Sequence, residues 1–260
     1  MDKKEIERYA GGNGTFGKAP KLVLDELHIQ GKEGNFYISK TQEDYRKDGI
    51  GSDPVAIRIL KIRKVLVDLD RNMRTSEHVS NKDDIVLFER DLTTKKNKII
   101  QRGTAADIRS EYTSLTTQQR VYCLYKDELI ILVVKGASFG SPNKPSNSIP
   151  FYDYLSSFQN DEHVWEYETI ITPIIEQGPK GKYYAISFSR GKELSSEELD
   201  LTGKKMKELY EHFEKVEKFY AGQDVSRYSD DNFSADNQDS SKEVPVIQID
   251  DEIRAEDLPF

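Results

Sequence analysis

The stretch RVYCLY-KDE-LIILVVK, residues 120–135, decides the class of fold. β-Branched and aromatic residues on both sides of a short polar turn are the pattern of a hairpin. Its second arm is apolar at nearly every position, so it is expected at the centre of a sheet, buried on both faces. A second, longer hairpin follows. Residues 164–176 (VWEYETIITPIIE), the Gly- and Pro-bearing turn 177–181 and residues 182–190 (KYYAISFSR) alternate with a period of two. Alternation places Trp165, Tyr167, Thr169 and Ile171 on one face of the first arm and Tyr184, Ile186 and Phe188 on one face of the second.

Upstream, residues 55–68 (VAIRILKIRKVLVD) read as a long strand carrying Arg58, Lys61, Arg63 and Lys64. Regular alternation sets Lys61 and Arg63 on one face and Arg58 and Lys64 on the other, which predicts a bulge or an edge position. Shorter strands are expected at residues 21–27, 36–40 and 84–89, with loops at 42–54 and 93–98. Thr104 is placed to cap a short helix over 105–115. Ser148 and Pro150 open another over 149–158. The one long helix is 195–220, begun by a Ser195/Glu198 capping box. Its stripe of Leu199, Met206, Leu209, Phe213 and Val216 is expected to dock on the sheet, with self-association through it the less common outcome.

These elements describe a mainly β protein with helical additions, of which an OB-like, partly open Greek-key barrel is the expected form. The domain plan is a flexible Gly-rich segment over residues 1–20, the barrel over 21–194, the helix packed on it over 195–220, and a disordered acidic tail over 221–260. The tail holds 11 acidic and 3 basic residues, the whole of the chain's net −8; the remaining 35 acids and 35 bases cancel. A neutral body with clustered cations can still hold a phosphate backbone locally.

The single cysteine, Cys123, rules out an internal disulfide and a Cys-based zinc site and fits a reducing compartment. With no apolar run of membrane-spanning length, a soluble, cytoplasmic protein is expected. Two catalytic near-motifs fail on their surroundings. Gly12 to Gly17-Lys18 has the spacing of a phosphate-binding loop, but Ala19 stands where a Ser or Thr must ligand magnesium. Gly136-Ala137-Ser138-Phe139-Gly140 matches a nucleophile elbow, but Pro142 and Pro145 preclude the helix that must follow. His28, His78, His163 and His212 have no metal-ligand spacing. No enzymatic activity, metal or cofactor is expected.

The extreme C-terminus is the most specific signal. Asp250-Asp251-Glu252 and Glu256-Asp257 precede Leu258-Pro259-Phe260, an apolar hook on a charged leash. This ending resembles the C-terminal tip of bacterial and phage single-stranded DNA-binding proteins, and the Gly-rich entry, late hairpin and acidic end follow the phage type in order. The resemblance implies an OB-like body that coats and protects single-stranded DNA in replication and recombination, in the cytoplasm of a bacterial host. It also implies a tip (Asp250, Asp251, Glu256, Asp257, Leu258, Pro259, Phe260) that docks on replication and recombination proteins. On that reading, adjacency of rings and cations on strands nominates Phe36, Tyr37, Tyr45, Lys61, Arg63, Lys64, Arg120, Tyr122, Lys126, Trp165, Tyr167, Lys180 and Lys182 for DNA contact. The alternative from another class is a structural or adaptor protein of a phage assembly whose tail keeps it in solution.

Overall fold

The longest strand, β4 (Val55–Asp68), is the spine of the molecule because both of its edges are used. The computed structural model describes residues 22, 24–39, 43–44, 53–94, 97–139, 148–159, 162–178 and 181–221. The Gly-rich entry, Tyr45, Lys180 and the whole acidic tail with its tip lie outside the described residues. Before β4 come β1 (Glu26–Ile29), β2 (Phe36–Ile38) and β3 (Glu43–Asp44). After it come β5 (Met73–Thr75), β6 (Asp84–Arg90), β7 (Asn97–Thr104), helix α1 (Ala105–Glu111), β8 (Thr116–Tyr125) and β9 (Glu128–Val134). Helix α2 (Phe151–Ser156), β10 (Tyr167–Gly178), β11 (Gly181–Glu193) and helix α3 (Ser196–Ala221) complete the described chain.

The strands join in one mixed sheet, ordered β3-β2-β1-β9-β8-β4-β5-β6-β7, with β10 paired to β11 and to β4. Only the β1–β9 pairing is parallel among those described. The order ends in β3 on one side and β7 on the other, so the sheet stays open. β8 lies along one edge of β4. The other edge is shared by β10 at Val55–Ile57, a bridge to His78 at Lys64, and β5 at Val67 and Asp68.

The bulge expected in β4 falls between Ile59 and Lys61. It brings Arg58, paired with Leu124, onto the same face as Lys61, paired with Tyr122, so only Lys64 remains opposite. β9 is buried on both faces, as its apolar run predicts. Ile130, Leu132 and Val134 join a core beneath α2 and the β10–β11 hairpin, with Phe151, Tyr154, Ile171, Ile186 and Phe188. Ile131 and Val133 join a second core beneath α3, with Leu209 and Phe213. A third core under α1 holds Leu66, Ile85, Leu87, Ala105 and Ile108.

Local signals hold where side chains close a backbone end. Thr104 accepts from the Asp107 N–H at 3.1 Å. The Ser195 N–H and hydroxyl both donate to Glu198 at 2.9 Å, and the Glu198 carboxyl is held down at about 2 by those bonds and Lys192. Elsewhere the structure corrects the sequence. Pro150, not Ser148, precedes α2, and the Ser148 hydroxyl donates instead to Glu176 at 3.0 Å. Residues Val164–Glu166 form a 3-10 turn, so Trp165 is not on the strand face of Tyr167 and Thr169. β5 and β7 stand where loops or unassigned chain were expected.

Among the described residues no helix is long and apolar enough to cross a membrane.

Candidate functional site

Register alone gathers four of the nominated residues. Arg63 pairs with Arg120 and Lys61 with Tyr122 across β4 and β8, and Tyr122 and Glu26 both pair with Ile131 of β9. Cross-strand partners share a face, so Lys61, Arg63, Arg120, Tyr122 and Glu26 form one polar field on the sheet.

That field is closed. Arg120 is ion-paired with Glu26 and, through Nε at 2.7 Å, with Glu77. The Tyr122 hydroxyl donates to both Glu77 oxygens at 3.0 and 2.9 Å. Arg63 donates to the Glu77 carbonyl at 3.1 Å and to Glu217 of α3 at 3.0 Å, with its guanidinium 4.4 Å from the Phe213 ring centroid. His28 lies 3.3 Å from the other Glu26 oxygen and stacks on Tyr37. Burial would raise the Glu26 carboxyl, but Arg120, His28 and Arg74 more than offset it and hold the group far below the usual carboxylate range. Burial and the Glu77 charge push the Tyr122 phenol far up, so it stays a donor. Two arginines and two internal carboxylates neutralise one another here, and the arrangement fastens α3 to the sheet.

Arg63, Arg120 and Tyr122 are therefore corrected from surface contacts to buried members of a network, and Phe36, with no exposed surface, to a core ring. Adjacency on strands could not reveal the cover, because α3 comes more than 70 residues later. Glu77 sits in a polar stretch between β5 and β6, with nothing in its neighbours to mark it. Lys61 remains at the rim, half-buried, with its amine 5.1 and 5.6 Å from the Phe213 and Tyr210 rings. Burial and Arg63 depress that amine, against an opposing effect of Glu217.

The other nominated residues reach solvent at separate places. Lys126, at the β8–β9 turn, lies 5.1 Å from the Tyr125 ring, beside the Arg58–Asp127 ion pair. Trp165 stacks on His163 with centroids 5.1 Å apart and planes at 10°. The Arg190 guanidinium lies 4.3 Å from the Phe158 ring centroid and 4.7 Å from that of Tyr167, and Glu162 holds it through two bonds of 2.9 Å. Lys182 is exposed on β11, and Tyr37 is half-buried beside His28. Lys64 is on the opposite sheet face, between Gln119 and His78. Tyr45, Lys180 and the seven tip residues are outside the described residues.

Ser138 of the failed elbow motif is buried in a 3-10 turn, where its hydroxyl accepts from the Ile186 N–H at 2.9 Å. Among the described residues no group of three or more His, Cys, Asp or Glu could hold a metal ion. Compared with known protein families, curated proteins and solved structures, the chain matches none of them.

Proposed function

We propose that the chain is a non-enzymatic protein that binds single-stranded DNA without regard to sequence. It coats and protects the strand in phage replication and recombination, and it recruits partner proteins through its acidic tip. The observation that carries this reading is Glu256-Asp257-Leu258-Pro259-Phe260, an apolar hook directly behind acids, in a tail that holds the chain's entire net charge. The fold reading that accompanies it is an OB-like, partly open barrel with α3 packed against one face.

Three features of the body support it. The sheet is open and bulged in β4, β7 and β11, the means by which barrels bend. Rings and cations reach the surface together at Tyr125 with Lys126, and at Tyr210 with Lys61. Stacking on such rings contributes about 1–3 kcal/mol per base whatever the base, while cations follow the phosphates. A body of zero net charge suits a protein that must release DNA as well as hold it, because its attraction is confined to local patches.

Fluorescence anisotropy tests this with labelled oligo-dT, a mixed-sequence single strand and the corresponding duplex. The reading expects similar affinity for the two single strands, weaker binding to the duplex, and a steep loss with salt as counterions return to the phosphates. Absence of binding to all three would leave the adaptor reading in its place.

A further inference from the structure

On the sheet face away from α3, an exposed ring is held from the interior. Phe151 and Tyr152 begin α2; Phe151 is buried in the core, while Tyr152 is 46% exposed. The Tyr152 hydroxyl accepts from the Gln119 Nε2 at 2.7 Å, and Gln119, on β8, is only 1% exposed. Phe139 stacks against the Tyr152 ring with centroids 5.9 Å apart and planes at 24°. The ring is thus fixed at its hydroxyl and along one side, and the rest of it meets solvent beside the half-exposed Ile149.

The anchor has a cost the fold retains: the Gln119 Oε1 is buried without a hydrogen-bond partner. A buried amide used to hold a surface tyrosine contributes little to a core. It does remove the rotational freedom a ligand would otherwise have to freeze, which is the use of pre-organisation in a binding site. A cation stands beside it. Lys64 is directly across from Gln119 in the β4–β8 register, about 5 Å away at Cβ. On its other side Lys64 pairs with His78, a buried imidazole whose pKa burial lowers, with the Lys64 charge acting the same way and a Ser76 backbone bond opposing them.

We propose that Tyr152 is a stacking platform for one base of a bound single strand, that Lys64 contacts the adjoining phosphate, and that Gln119 is the positioning residue for the ring. This rests on the reading of the chain as a single-stranded DNA-binding protein. A flat ring with an apolar margin from Phe139 and Ile149 accepts any base on its π-face, and a flexible amine one cross-strand step away suits a phosphate.

The test combines cross-linking with affinity. An oligo-dT carrying 5-iodouracil is irradiated with the full chain and the adduct is located by mass spectrometry, while anisotropy compares the full chain with Tyr152→Ala, Tyr152→Phe and Lys64→Ala. The expected adduct is on Tyr152. Tyr152→Ala weakens binding by between about fivefold and 150-fold, Tyr152→Phe by less, and Lys64→Ala lowers the salt slope by about one. If the full chain binds and cross-links elsewhere, with Tyr152→Ala unchanged in affinity, the platform is wrong and the DNA-binding reading stands. If the full chain does not bind single strands, both fall.

Discussion

Arg63 on β4 and Glu217 on α3 meet at 3.0 Å, and the ring of Phe213, one helical turn earlier, has its centroid 4.4 Å from the same guanidinium. Among the described strands the most cationic therefore sets Arg63 beneath a helix rather than on a ligand, and leaves Lys61 at the rim of that helix. Arg63 is paired with Glu217 and Glu77, while Lys61 rests on Phe213 and Tyr210.

Arg63→Ala is expected to destabilise the fold by about 1–3 kcal/mol, since a buried guanidinium that bonds the Glu77 carbonyl and packs on Phe213 is lost, while the Glu77 carboxylate keeps Arg120. Glu217→Gln, whose side chain is mostly exposed, is expected to cost less than about 1 kcal/mol. Urea unfolding of the two variants against the full chain checks the order, and equal losses would contradict it.

Stability should fall in two stages as pH drops. Burial lowers the folded pKa of His78 and His212 from 6.5, so the unfolded chain takes up these protons first and stability declines below about pH 6.5. Glu26 is likewise depressed from its ordinary 4.5, because Arg120 and its neighbours outweigh burial; the stability it adds at neutral pH is lost as pH falls below about 4.5. Thermal melts from pH 8 to pH 3 read both stages. His78→Gln combined with His212→Gln should flatten only the first.

Gly34 has φ +74° and sits against the Tyr184 ring, closer than a side chain allows. Gly34→Ala is expected to destabilise by at least about 1–2 kcal/mol, from the left-handed backbone alone. The neighbouring Gly31, whose Cβ would meet open space, is the control: Gly31→Ala should fall within about 0.5 kcal/mol of the unaltered chain.

Cys123 is fully buried and its thiol is pushed up to about 12 by burial, against a weaker opposing bond from Leu132. Alkylation by iodoacetamide at neutral pH should proceed at least about a thousandfold more slowly than in urea, reporting global opening. Fast labelling of the native chain would place β8 elsewhere than the centre of the sheet.

Much of the fold was legible because its signals are local. The apolar run of β9 marked a doubly buried strand, and four cations out of phase in β4 called for a bulge or an edge position, of which a bulge lies between Ile59 and Lys61. The Ser195/Glu198 box marked the start of α3. Other elements carry no such mark. β5 is three residues long, and β7 (NKIIQRGT) is held by backbone pairing to β6 without an alternating apolar face. Trp165 looked like a strand residue because its neighbours alternate, but Glu166 turns back to accept from the His163 N–H and winds the segment into a 3-10 turn. The polar field of Lys61, Arg63, Arg120 and Tyr122 was visible as charge on paired strands, whereas its cover was not. Tyr152 was passed over for a similar reason: its anchor, Gln119, is 33 residues away and silent in sequence.

The most direct test of the central claim is a titration of labelled oligo-dT at low and moderate salt, with the full chain and with a version ending at Gly222. The account predicts tight binding by both at low salt, a steep loss with added salt, and stronger binding once the anionic tail is gone. Failure of both forms to bind at low salt would contradict it.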